Sequence, residues 1–148
     1  MYNKSFTSRK VQVISKLVQS LFGTFKPNID ENLKKNEVKL LVEMNFHPNH
    51  PLKYYVEAIG MEFGSFTYLS DRLIEKGFVY KTQSEKDKRV SILSLTEKGE
   101  EIALEVCKQF QDHILLKVEA LDQESQDKFN LAIDLLEETY EKVKESQK

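Results

Sequence analysis

The chain has 148 residues, of which 40% are apolar and 31% charged, with one cysteine, five glycines and three prolines. That balance suits one helix-rich globular domain; it leaves no partner for an intrachain disulfide, argues against a many-turned all-β fold, and contains no apolar run of bilayer-spanning length. The net charge of −2 conceals a gradient. Residues 1–52 carry eight basic and four acidic side chains, residues 53–98 eight and seven, and residues 99–148 six and thirteen. An anion-binding surface is therefore expected in the first two-thirds of the chain, away from the acidic final third. The opening "MYNKSFTSRKVQ" is basic without a following apolar stretch, so it does not read as a secretory signal, and a cytoplasmic location is expected.

In chain order, Val11, Ile14, Val18, Leu21, Phe22 and Phe25 recur at helical spacing, and Pro27 and Asn28 end that helix. A second helix is predicted from Asn36 as N-cap, with Glu37 in its first turn and Val38, Leu41, Val42 and Met44 along it. Two prolines make Phe46–Pro51 a loop. A short helix over Leu52–Ile59 presents Tyr55, Val56 and Ile59 on one face. "GMEFG" breaks it, and a longer helix over Ser65–Lys76 turns Phe66, Leu69 and Leu73 inward and stops at Gly77. Short helix, glycine turn, longer helix is a helix-turn-helix pattern.

"FVYKTQ" and "VSILSL" are β-favouring runs joined by the charged tip "SEKDKR", which predicts a hairpin with a solvated end. Thr96 suits an N-cap with Glu97 behind it. Gly99, at the third helical position, costs helix propensity and so points to close backbone packing there. Ile102, Val106, Phe110, Ile114 and Val118 then form a stripe at four-residue steps. Asp122 caps a last helix with Phe129, Ile133, Leu136, Tyr140 and Val143 inward.

The fold class expected from this order is mainly α with a small β-hairpin: a winged helix-turn-helix flanked by long terminal helices. Three blocks sharpen it: Asp71-Arg72-Leu73-Ile74-Glu75-Lys76-Gly77-Phe78-Val79, then Asp87-Lys88-Arg89, then Leu95-Thr96-Glu97-Lys98-Gly99. In this order and spacing the chain resembles the MarR family of winged helix-turn-helix transcriptional regulators. The resemblance implies a homodimer built by the first helix and the last two (about residues 5–27 and 97–145), with a winged-helix part over about 36–98. It implies that Ser65–Lys76 enters the major groove of double-stranded DNA at a near-palindromic operator, that the wing reaches an adjacent minor groove, and that a small-molecule inducer releases the DNA in many relatives.

On that basis Arg89 is the candidate minor-groove contact, with Asp87 two residues away to orient its guanidinium, and Lys86 and Lys88 are phosphate contacts. A plain solvated loop is the alternative for this tip. Ser65 and Thr67 are candidate contacts to phosphates or base edges and Tyr68 to phosphate, and Phe63 either meets a thymine methyl or packs under the preceding helix. Glu62 repels phosphate, accepts from a cytosine amino group, or caps the helix. Arg72 divides between a phosphate contact and structural pairing with Asp71, Glu75 or Asp87, and Lys53 is a weaker phosphate candidate.

No base-reading arginine or lysine precedes Arg72 in this helix. That keeps a rival alive, a protein-interaction module of the antirepressor kind that has lost DNA binding. An enzyme is not expected, for want of a Ser/His/Asp order, a Gly-rich phosphate loop or clustered Cys and His; no cofactor is called for. His47 and His50 read as loop histidines ahead of a metal pair, and Cys107 as packing ahead of a thiol sensor. Tyr54, Tyr55, Phe22 and Phe25 are first core residues, and only second the lining of an aromatic-ligand pocket.

Overall fold

In the computed structural model, which describes residues 8–29 and 31–146, the order is α1 (Ser8–Phe22), α2 (Lys35–Phe46), β1 (His50–Pro51), α3 (Leu52–Ile59), α4 (Phe63–Glu75), β2 (Val79–Gln83), β3 (Ser91–Leu95), α5 (Glu97–Glu119) and α6 (Gln123–Ser146). The chain divides into two compact units. Pro27–Phe110 is one; the described residues up to Lys26 and from Gln111 onward are the other. Residues 5–7, at the start of the first predicted dimerisation segment, lie outside the described residues.

The Pro27–Phe110 unit is a winged helix. Leu40, Leu41 and Met44 of α2, Tyr55 and Ile59 of α3, and Phe66, Leu69 and Leu73 of α4 close over Phe78, Val79, Leu93 and Ala103 as one apolar core. The sheet runs β1-β3-β2, antiparallel throughout, with Val79 opposite Leu95 and Gln83 opposite Ser91. Two helix ends are closed by glycines in the left-handed region: Gly60 (φ 69°) after α3 and Gly77 (φ 76°) after α4. After α4 the Gly77 N–H donates to Ile74 and the Phe78 N–H to Leu73, so the chain reverses and delivers Phe78 and Val79 into the core.

Thr96 caps α5 as expected, its hydroxyl oxygen accepting from the Gly99 N–H at 3.1 Å and donating to the Gly77 carbonyl at 2.7 Å. A Cβ at Gly99 would stand 2.0 Å from the Phe78 carbonyl oxygen, so the close backbone packing inferred from the sequence is real.

Several boundaries differ from expectation. α1 ends at Phe22, not beyond Phe25, because Gly23 and a following turn stop it before Pro27. α2 begins at Lys35 with Lys34 at the N-cap, so Asn36 is not the cap; Glu37 lies at the third helical position, and its carboxylate takes the Lys34 N–H at 2.7 Å. The segment expected to be all loop is helical at Phe46, and its end is a strand. His50 pairs with Leu93 and Pro51 with Ile92, which an edge strand tolerates because proline need not donate there. α4 starts at Phe63, two residues early, and ends at Glu75.

The largest departure concerns the terminal helices. Neither α1 nor α6 buries a residue. Val11, Ile14 and Val18 of α1 lie exposed in the single chain, and so do Ile133, Leu136, Tyr140 and Val143 of α6, for which the spacing predicts an inward face. Within this unit Lys117 donates to the Ser20 carbonyl and the Thr24 hydroxyl, and the His113 ring approaches the Leu21 carbonyl at 3.1 Å, fastening the end of α1 to the end of α5. Asp122 caps α6 as expected, with the Ser125 N–H and hydroxyl holding its carboxyl below the ordinary range.

Candidate nucleic-acid interface

The helix-turn-helix is α3–α4, and α4 is rigid because its inner face is wholly committed. Phe66, Leu69 and Leu73 are in the core, and the buried Ser70 hydroxyl donates to the Thr67 carbonyl. Its outer face carries Phe63, Gly64, Ser65 and Tyr68, all exposed, with Thr67 between. The Thr67 hydroxyl donates back to the Phe63 carbonyl at 3.0 Å, so it offers a partner only an acceptor. Glu62 stands at the N-cap position, but its carboxylate makes no capping hydrogen bond and faces solvent. Phe63 is 57% exposed and does not pack under the preceding helix.

Arg72 is placed by a partner that the sequence reading missed. None of Asp71, Glu75 and Asp87 holds it; its Nε lies 3.3 Å from Glu37. Glu37 is completely buried, and besides Arg72 it receives Lys76 Nζ at 3.0 Å and the Lys34 N–H. Burial alone would raise the Glu37 carboxyl, but the Lys34 N–H, the Lys76 hydrogen bond and the two cationic charges outweigh it and hold it below the ordinary range. Lys76 Nζ also donates to the Asn32 carbonyl at 2.8 Å. The result is a buried anion at the start of α2 that clamps the C-terminal end of α4.

The Arg72 guanidinium also lies 5.8 Å from the centre of the Tyr68 ring. A sequence signal existed: Arg72 and Lys76 are one helical turn apart, so a single anion can serve both. Asp71 is instead engaged by Lys81 of β2 at 3.7 Å. An open groove between the start of α2 and α4 is lined by Lys34, Lys35, Asn36, Ser65, Tyr68 and Arg72.

At the wing, Lys86, Lys88 and Arg89 are all exposed, and among the described residues none forms an ion pair. Asp87 does not hold the Arg89 guanidinium. Its Oδ1 accepts the Arg89 backbone N–H at 2.9 Å, while its carbonyl takes the Val90 N–H and Ser84 Oγ accepts the Lys86 N–H at 3.3 Å. The acidic residue thus shapes the turn and leaves the arginine head free in solvent. Lys53 is spent on Glu57, one turn along an exposed helix face.

The remaining candidates are used structurally. The His50 ring stacks on Tyr54 at 4.1 Å, and the Tyr55 hydroxyl donates to the His47 carbonyl and accepts the His50 N–H. Tyr54 and Tyr55 pack edge to face. Among the described residues no cluster of His, Cys, Asp and Glu could hold a metal, and no helix is long and apolar enough to cross a membrane. Cys107 is half-buried, and burial pushes its thiol up, away from the reactive thiolate.

Comparison with known proteins agrees with this architecture. Residues 33–91 match the model of the MarR family. Among curated relatives, the HTH-type transcriptional repressor MdtR of Bacillus subtilis is 28% identical over 88 residues, spanning 56% of this chain and 57% of its own. The HTH-type transcriptional regulator YfiV of the same organism is 33% identical over 66 residues, 45% and 41% of the two chains. The matches therefore cover little more than half of the first relative and about two-fifths of the second. The crystal structure of MarR superposes with a TM-score of 0.64 at 18% identity, covering 99% of both chains, a likeness of fold. Both curated relatives are transcriptional regulators by name. Residues 33–91 thus match the MarR family of transcriptional regulators, and the winged helix built around them has the fold of the solved MarR structure.

Proposed function

We propose that the protein is a homodimeric, sequence-specific DNA-binding transcriptional regulator, acting as a repressor. The observation that carries this is the wing: Lys86, Lys88 and Arg89 stand exposed and form no ion pair among the described residues, on a tip that also carries Glu85 and whose Asp87 carboxylate is turned onto the backbone. An arginine so presented suits a narrow minor groove, where the potential is most negative. Lys86 and Lys88 serve the phosphates, and Ser65, Thr67 and Tyr68 of α4 face the major groove. Arg72 adds at most a phosphate contact from its Glu37-bound position.

The dimer is supported by the uncovered apolar side chains of α1 and α6, too many to leave in water on a stable monomer. Twofold pairing presents two α4 helices to half-sites about one helical turn, roughly 34–36 Å, apart. Release by a small molecule belongs to this reading through the family alone, and loss of the DNA complex on adding such a compound is its test.

The deciding experiment is a gel-shift titration across salt with duplex fragments of the protein's own promoter region. Binding by Z phosphate contacts gives a slope of log affinity on log salt of about −0.9Z. Arg89→Ala should weaken the complex while leaving fold and dimer unchanged. A folded dimer that ignores all duplexes at low salt would leave the antirepressor reading in its place.

A further inference from the structure

Resting on that DNA-binding reading, we infer that α4 reads A·T pairs through the 5-methyl groups of thymine, with Phe63 as the specificity-determining contact. Four observations converge. First, the exposed start of α4 carries two aromatic side chains: Phe63 is its first residue, and Tyr68, five residues further on, is 65% exposed. In helix-turn-helix proteins the N-terminal residues of the second helix meet the base edges.

Second, the side chains that read guanine and adenine are missing from α4 or occupied, which leaves Glu62 and Ser65 as the polar groups beside Phe63. Guanine is read chiefly by a free arginine or lysine, and adenine by the amide of asparagine or glutamine. α4 has no Asn, Gln or Lys, and its one arginine, Arg72, has Nε on the buried Glu37 and its head over Tyr68. Lys76, just beyond α4, is held by Glu37 and the Asn32 carbonyl.

Third, Thr67 has donated its hydroxyl to the Phe63 carbonyl, which leaves Ser65 and Tyr68 as the hydroxyl donors of this face. Fourth, the fold does not require Gly64. Gly60 and Gly77 need their positive φ and Gly99 would clash with Phe78, but a Cβ at Gly64 meets nothing within 4 Å and its backbone is ordinary helix. A glycine kept where the protein has room for a side chain, beside an exposed phenylalanine, fits close approach of a base-pair edge. The flanking cations of the groove and wing, Lys34, Lys35, Lys86, Lys88 and Arg89, supply the phosphate attraction that brings the duplex there.

The test begins with selection from a random duplex pool of about 30 base pairs, long enough for two half-sites, using the full chain. Each thymine of the recovered sequence is then replaced in turn by deoxyuridine, which deletes only the methyl group. With the wild type, one or two positions per half-site should lose about fourfold in affinity per methyl, the worth of one buried methyl-sized group. Phe63→Ala should bind more weakly and become indifferent to the same replacements. Gly64→Ala should weaken binding without lowering the melting temperature. If the wild type selects and binds a site, but that site has G·C pairs at the half-site centre and deoxyuridine has no effect, the thymine assignment is overturned while DNA binding stands. If no duplex is enriched or shifted at low salt, the DNA-binding reading itself falls.

Discussion

Removing the negative charge of Glu37 is the sharpest single perturbation that the structure offers. The carboxylate is 0% exposed and accepts from the Lys34 N–H at 2.7 Å, Lys76 Nζ at 3.0 Å and Arg72 Nε at 3.3 Å. Glu37→Gln preserves shape but turns one acceptor into a donor facing two cations. Arg72 and Lys76 are each about a quarter exposed, so they can recover some hydration, which places the cost below that of a fully sealed pair. Losing one or two hydrogen bonds to charged groups then costs about 2–3 kcal/mol, which for a chain of this size lowers the melting temperature by about 4–12 °C.

The pH dependence carries the sign. Glu37 is held below the ordinary carboxylate value in the folded state, so its stabilisation is fully present above the unfolded value of about 4.3 and is lost as pH falls through the folded one. Urea unfolding of wild type and Glu37→Gln at one protein concentration, stepped from pH 7 to well below the unfolded carboxylate value, down to about pH 3, should show a gap that narrows on acidification. Equal midpoints at pH 7, or a gap unchanged at the acid end, would refute the idea that a buried carboxylate anchors α4. Because the clamp sets Arg72 and the C-terminal end of α4, DNA affinity should fall together with stability.

Three further outcomes test other parts of the structure. Gly99→Ala should destabilise by about 1–3 kcal/mol, although alanine normally favours a helix, because the new Cβ meets the Phe78 carbonyl; a stabilised variant in denaturant titration would contradict the close approach. Asp87→Ala should leave the melting temperature nearly unchanged, since the side chain is exposed and acts only within the loop, yet loosen the Arg89 backbone and weaken DNA binding; an increase in affinity would mean that Asp87 acts merely as a repelling charge. Leu136→Glu puts a charge on a side chain that is 56% exposed in the single chain. By light scattering it should convert a dimer to a monomer, whereas an unchanged mass would remove α6 from the interface.

The local chemistry of the chain was enough to order its elements. Helical spacing, Gly77 as a stop, two β-favouring runs around a charged tip, and Thr96 and Asp122 as caps depend on near neighbours, and each is found where expected. Gly99 could be read as a close-packing glycine because its cost to the helix demanded a reason, and the Phe78 carbonyl supplies it. What sequence could not settle was which distant groups meet. Glu37 resembled an ordinary first-turn acid until folding buried it against two cations 35 and 39 positions later. Asp87 stood near enough to Arg89 to hold its head, and only the turn geometry directs the carboxylate to the backbone N–H. His50 and Pro51 resembled loop because a two-residue strand has no periodicity of its own and exists only through its pairing with Leu93 and Ile92. Spacing also marks an apolar stripe on α1 and α6 without saying what covers it, since amphipathicity is a property of one helix and burial a property of its partners.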